Sequence, residues 1–348
     1  VAAPVVLSRS RTPSPAIRAV LTNSGNANAC TGDQGMADAK AACAQLAELI
    51  GCREEAVLMM STGVIGKALP MDKLRRGVEQ VHRQLADDEN AFYDAAEAIR
   101  TTDADRKTES SELTLDGQPI RIAAMAKGAG MIAPNMATML SVMCSDASLT
   151  EQDAQQMLTR VADVSFNRVS VDGHTSTNDT LLLLASGSGE PLSGDALVAF
   201  EAALTELAID LAKQLVADGE GASHVMQLHV VGAQSDASAE IIAKTVAASP
   251  LVKTAIAGGD PNWGRIVSAA GYAGQPIEPA QVALAICGQS IYDKGTPLAF
   301  DAASLSGTMK SHPQIDIELR VGRGAGQATY WASDLTTDYV RFNSEYTT

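Results

Sequence analysis

Thr138, a hydroxyl inside an otherwise apolar run, is the residue of this chain best placed to do chemistry. It sits between Ala137 and Met139 in KGAGMIAPNMATML, residues 127–140. The ordinary use of such a segment is a Gly-rich turn leading into a buried strand. It is not a phosphate loop, because the Gly-Lys-Ser/Thr ending is missing. A buried hydroxyl needs a partner. Beside a small residue it can also attack the preceding carbonyl carbon, moving the acyl group from nitrogen to oxygen. Hydrolysis of that ester would free Thr138 as a new N-terminus. A terminal Thr carries its own base: an unperturbed α-amino group has a pKa of about 7.7–8.0 and can take the hydroxyl proton. The histidines, His82, His174, His224, His229 and His312, lie in no recognisable nucleophile–base motif.

MMSTGVIG, residues 59–66, reads as an apolar strand ending in Ser61-Thr62-Gly63. A strand-to-loop transition with Gly lets backbone N–H groups face a ligand, as an oxyanion hole requires, and a plain β-turn fits equally well. NSGNANACTG, residues 23–32, reads as an irregular loop bonded to itself. VDGHTSTNDT from Val171, ADGEGAS from Ala217 and GGDPNWGR from Gly258 are polar and Gly-rich. Their His and Asp spacing matches no standard metal site, so no metal is expected. Glu220, between two glycines, reads equally as an exposed carboxylate or a substrate anchor.

These segments need a framework. Apolar runs at residues 19–22, 57–60, 181–184 and 282–286 read as strands, and residues 113–126 as a hairpin turning at Asp116-Gly117. IDIELR and ATYWAS alternate as half-buried strands do. Helical stripes comprise Met36, Cys43, Leu46, Ala47 and Ile50; Leu74, Val78, Val81 and Leu85; and Ala154, Met157, Leu158, Val161 and Val164. Residues 196–216 form a longer Ala/Leu-rich helix. Mixed strands and helices with hairpins favour a layered α/β architecture, helices covering stacked mixed sheets, over a purely parallel sheet. The most linker-like stretches are residues 186–194 and 232–238.

A chain of 348 residues is long enough for two lobes or a large sandwich. With 4% aromatics its core is filled mainly by Ala, Val, Leu, Ile and Met. A formal charge of −15 argues against nucleic acid, which needs a dense Lys/Arg surface. Five cysteines, odd in number and irregularly spaced, fit reduced thiols in a cytoplasmic protein. No apolar run approaches a membrane span, and no signal peptide opens the chain. The opening VAAPVVLS, without an initiator Met, reads as that of a fragment or of a chain shortened at its N-terminus.

Taken together, NSGNANACTG, STGVIGK, TTD at residues 101–103, KGAGMIAPNMATML, SVDGHTSTND, DGEGA, SPLVKTA, DPNWGR and the terminal NSEYTT closely resemble the ornithine acetyltransferases, also called glutamate N-acetyltransferases. The resemblance runs over nearly the whole chain. It implies cleavage between Ala137 and Thr138, giving chains of residues 1–137 and 138–348, with a second lobe from about residue 235 to 348. It implies that Thr138 takes acetyl from N-acetylornithine and passes it to glutamate in arginine biosynthesis, with Thr62 and Gly63 as the oxyanion hole. Substrate-contacting positions carry over to Lys127, Thr138, Glu220, Asn343 and Thr348, and to one of Thr101 and Thr102. The implied fold is an α-β-β-α-type sandwich of mixed sheets with a smaller C-terminal α/β lobe. The implied assembly is α2β2, paired copies of both cleavage products, with no cofactor. Acetyl-CoA as a second donor has no local motif. Two departures stand out: the family usually begins some tens of residues earlier, so part of the N-terminal sheet is expected to be missing, and His224 stands where Lys is common. Two rivals are a self-cleaving hydrolase that passes the acyl group to water and a catalytically dead oligomer.

Overall fold

The computed structural model describes residues 1–133 and 139–345. Ala137, Thr138 and Thr348 therefore lie outside the described residues. Two compact units divide the chain: Val1–Asn167 with Thr175–Leu215, and Arg168–His174 with Val216–Tyr346. Neither linker-like stretch falls at these boundaries. Residues 186–194 join a strand to a helix inside the first unit, and residues 232–238 do the same inside the second.

In the first unit, β1 (Ala19–Asn26) and β2 (Val57–Val64) pair in parallel. Alternation along β2 sends its side chains to two different cores. Val57 and Met59, with Leu21, meet Ala39, Ala42, Cys43 and Leu46 of α2 (Gly32–Ile50), a helix that also packs on α1 (Ala3–Arg9). Leu58 and Met60 face the other way, toward Leu140, Val142 and Leu182. Those residues belong to a second, four-stranded sheet of β3 (Lys107–Leu115), β4 (Gln118–Lys127), β5 (Leu140–Ser145) and Thr180–Ala185. Helix, sheet and sheet thus form successive layers, as expected.

β3 and β4 are the hairpin expected at residues 113–126, lengthened at both ends. Asp116 and Gly117 turn it with φ of 49° and 76°, the left-handed pair a two-residue hairpin demands. One helical stripe is only half used. In α3 (Met71–Arg83) Val78 is buried and Leu74 packs beside it, but Val81 is exposed and Leu85 lies beyond the helix end. The first unit is completed by α4 (Glu89–Ala98), α5 (Glu151–Val164) and α6 (Gly194–Ala217), whose last residues adjoin the unit boundary.

The second unit is built on a seven-stranded mixed sheet. Its strands are β6 (Val169–Ser170), β8 (Val225–Ala233), β9 (Ala283–Ile286), β10 (Gln289–Asp293), β11 (Thr296–Pro297), β12 (Gln314–Arg320) and β13 (Gly326–Ser333); Thr180–Ala185 of the first unit is β7. Ile315, Ile317 and Leu319 of β12 point inward with Met226, Leu228 and Val230 of β8, and Asp316, Glu318 and Arg320 point out. The inward face meets α7 (Asp236–Ala248), α8 (Pro250–Gly258), α9 (Trp263–Gly271) and α10 (Ala302–Ser311) through residues such as Ile242, Val252, Ile266 and Met309. A last helix, α11, spans Thr337–Glu345. Among the described residues no single helix is long and apolar enough to cross a membrane, and the five cysteines are free thiols.

Candidate active site

β4 ends on Lys127 and β5 begins at Leu140, and these two residues are cross-strand partners. The Gly-rich block is therefore the connection of a β4–β5 hairpin, and Leu140, two residues beyond Thr138 in the chain, sits opposite Lys127. The Lys127 side chain is almost wholly buried, at 2% exposure. A buried ammonium must be paired and hydrogen-bonded. Its Nζ donates to Thr101 Oγ1 at 2.8 Å and to Thr62 Oγ1 at 3.2 Å, and lies 3.7 Å from Asp103 Oδ2.

Asp103 is the electrostatic centre of this group, with a side chain at 0% exposure. Its Oδ1 accepts from Lys107 Nζ at 2.8 Å and from the Gly128 amide at 2.5 Å, and its Oδ2 from the Thr101 amide at 3.1 Å. Burial pushes the carboxyl up. The ammonium groups of Lys127 and Lys107, with the Lys107 and Gly128 hydrogen bonds, outweigh it and hold the carboxyl below its ordinary value. Asp103 thus fixes the end of β4, the Thr101 loop and the first Gly of the hairpin connection at one point.

Thr62 and Gly63 arrive on β2, where Ser24 and Gly25 of β1 lie opposite them. The strand runs on to Val64 instead of ending at Gly63. Gly63 has φ of 129°, and a Cβ there would collide with the Gly25 backbone, so glycine is required on both counts. Ser61 Oγ donates to Asn23 Oδ1 at 2.6 Å, and Asn23 Nδ2 to the Asn26 carbonyl at 2.8 Å. Asn23–Asn26 of NSGNANACTG belong to β1 instead of the irregular loop expected; beyond them Thr31 donates to Asn28 within the block, and Asn28 donates out of it to Gly35.

Glu220 and Asn343 come together in the second unit. Asn343 Nδ2 donates to Glu220 Oε2 at 2.9 Å and to the Tyr339 carbonyl at 3.1 Å, which ties α11 to the DGEGA turn. Gly221 has φ of 67° and passes so close to the Tyr339 backbone that a side chain would clash. Burial and the nearby Asp172 and Glu220 carboxylates push the Tyr339 hydroxyl up to about 12. GGDPNWGR is structural: Gly259 ends α8 in a left-handed conformation, and Asn262 Oδ1 caps α9 by accepting from the Arg265 amide. His224 Nδ1 lies 3.0 Å from Asp334 Oδ2, an aspartate that also accepts from Ser223.

Three buried polar groups were not singled out by residue type and spacing. Asp103 and the pair Asn178-Asp179 stood inside quoted blocks, TTD and SVDGHTSTND, without a role of their own. Burial pushes the Asp179 carboxyl up to about 8, against hydrogen bonds from the Met139 amide and Ser176. The third is Lys253, which donates to the Ser333 carbonyl and hydroxyl; burial pulls its ammonium down to about 8, against the pull of Asp334 and Asp172.

Two curated relatives align with this chain over nearly its whole length. A protein from Rhodopirellula baltica, named arginine biosynthesis bifunctional protein ArgJ, is 57% identical over 353 residues, covering 100% of this chain and 86% of that protein. The protein of the same name from Nitratidesulfovibrio vulgaris is 44% identical over 347 residues, covering 99% and 88%. A crystal structure of the Bacillus halodurans protein of that name superposes with a TM-score of 0.56 at 37% identity, over 58% of this chain and 96% of that one. An α/β enzyme of the transferase class, serving arginine biosynthesis, is what fold and matches together define. The ArgJ family model matches residues 1–348, and the chain belongs to that family.

Proposed function

We propose that this chain cleaves itself before Thr138 and then moves an acetyl group from N-acetylornithine to glutamate through an acetyl-Thr138 ester. The observation that carries this reading is the buried Lys127, within 3.2 Å of the Thr62 and Thr101 hydroxyls and opposite the strand that follows Thr138. In the maturation step the Thr138 hydroxyl attacks the Ala137 carbonyl carbon, the peptide C–N bond breaks, and water hydrolyses the resulting ester.

In the transfer half-reactions the freed α-amino group takes the Thr138 hydroxyl proton as oxygen attacks the acetyl carbonyl carbon. The C–N bond of the donor breaks, and ornithine leaves as an amine carrying that proton. The amine of glutamate then attacks the ester, the C–O bond breaks, and the proton given up by that amine passes through the α-amino group to the Thr138 oxygen. Negative charge on the acetyl oxygen is met by donors at Thr62 and Gly63. Because Lys127 donates to Thr62 Oγ1, the Thr62 proton is directed away from the ammonium and toward another acceptor.

Lys127 can take a substrate carboxylate in exchange for one of its present hydroxyl partners, and Glu220, held by Asn343, suits an ammonium. Of the two threonines left open by the sequence, we take Thr101, whose hydroxyl accepts from Lys127, as the substrate contact. Acetyl-CoA as a further donor belongs to the same proposal; the relatives' name, bifunctional, speaks of a second activity without saying which. An α2β2 assembly of the two products working in the cytoplasm completes the reading.

Incubation with N-acetylornithine alone, followed by acid quench and mass spectrometry, tests it. One acetyl group on the fragment beginning at Thr138 is expected. Intersecting-line kinetics with no acetylated fragment would favour direct transfer.

A further inference from the structure

Two adjacent side chains that no resemblance or match assigns reach both halves of the candidate active site. Asn178, at 3% exposure, spends both amide protons on backbone carbonyls: Nδ2 donates to Ala27 O at 2.6 Å and to Ser61 O at 2.8 Å. Its Oδ1 accepts from Thr177 Oγ1 at 2.7 Å. Ser61 is the residue before Thr62, and a trans peptide points its C=O and the following N–H in opposite directions. Holding the Ser61 carbonyl therefore sets the direction of the Thr62 amide.

Asp179 reaches the other half. Its Oδ1 accepts from the amide of Met139, the residue after Thr138, at 3.2 Å. The backbone amide of Thr180 completes the grip by donating to the Met139 carbonyl at 3.1 Å. From there β5 and β7 run in parallel, with Leu140 opposite Thr180. One tripeptide, 178–180, thus holds the strand that carries Thr62 and the residue that follows Thr138.

We propose that Asn178 and Asp179 are positioning residues, a clasp that sets the Thr138 segment in register with the Thr62–Gly63 strand. This rests on the acetyl-Thr138 reading, since only a nucleophile and an oxyanion hole from distant parts of the chain need such registration. The physical basis is proximity: reacting atoms must be held in near-attack geometry, and a misplacement of about 1 Å can cost about 100-fold. Asp179 is half-buried, and desolvation raises its carboxyl while the Met139 amide pulls it the other way, so its part as a fixed acceptor rests on the geometry of that hydrogen bond. Asp179 contacts no reacting atom in this scheme and transfers no proton.

The test uses the full-length protein, with Asp179→Ala, Asp179→Asn and wild type compared for intact mass, kcat, KM and melting temperature. Asp179→Asn keeps an oxygen that accepts the Met139 amide; Asp179→Ala does not. For Asp179→Ala we expect incomplete self-cleavage and a kcat about 100-fold down, with KM for both substrates within about threefold. Asp179→Asn should cleave fully and keep kcat within about tenfold. A structural role alone would lower the melting temperature of Asp179→Ala without this split between kcat and KM. If Asp179→Ala does not fold, Asp179→Asn carries the test: a 100-fold loss of kcat at an unchanged melting temperature overturns the clasp. Wild-type kcat and full cleavage in Asp179→Ala, or equal losses in the two variants, also overturn it. A wild-type protein that neither cleaves nor forms the ester would instead sink the acetyl-Thr138 reading, so the two failures are told apart.

Discussion

The Lys127 ammonium donates to the Thr101 hydroxyl at 2.8 Å across 26 positions of sequence. A hydrogen bond to a charged group contributes about 1.5–3 kcal/mol, and Thr101 is partly open to solvent, so the lower end applies. Thr101→Val, which keeps the branched shape, should cost roughly tenfold in kcat/KM. Thr102→Val should cost less. Steady-state kinetics on both variants decide between the two threonines, and a larger loss in Thr102→Val would reverse the assignment.

Thr62 is 2% exposed and has its oxygen occupied by Lys127. If its hydroxyl donates to the developing oxyanion, Thr62→Ala should lower kcat by about 10²–10³ with little change in KM. An unchanged kcat would leave the backbone of Thr62 and Gly63 as the donors.

Asp103 is the countercharge for two buried ammonium groups, each on a side chain with 2% exposure. Removing one partner of a buried pair typically costs about 3–5 kcal/mol, because the charge left behind is uncompensated. Asp103→Asn should lower the urea midpoint by a corresponding amount at constant m-value and weaken turnover as Lys127 loses its anchor. A midpoint within error of wild type would show that Lys107 and Lys127 find other partners.

Asp179 gives stability a definite pH dependence. Its carboxyl is raised from the ordinary 3.8 to about 8, chiefly by burial. Between those values the folded chain holds a proton that the unfolded chain has released. Stability from this group therefore falls as pH rises through that window and levels off above about 8. Asp179→Asn cannot ionise and should lack this slope. Melting temperatures of the two proteins from pH 5 to 8 should converge or cross toward the acid end; parallel curves would mean that Asp179 ionises normally.

Much of this was legible in the chain. Asp116-Gly117 marked the β3–β4 hairpin because few other pairs accept two positive φ angles, and the alternation of IDIELR gave β12 its inward and outward faces. Thr62, Gly63 and Lys127 stood out by type and by resemblance. What local pattern could not show was pairing at a distance. Asp103 carries no signal of its own until Lys107, Lys127 and Gly128 close around it, nor does Asn178 until it reaches the Ser61 and Ala27 carbonyls. Amphipathic spacing overreached at Val81 and Leu85, since α3 ends at Arg83 and only its first turns reach α2.

The central claim, a nucleophile made by cleavage, is tested most directly by the intact mass of freshly purified, active wild-type protein. Two species are expected, one ending at Ala137 and one beginning at Thr138, with Thr138→Ala giving a single uncleaved and inactive chain. A fully active wild-type preparation that contains only the uncleaved chain would contradict the account.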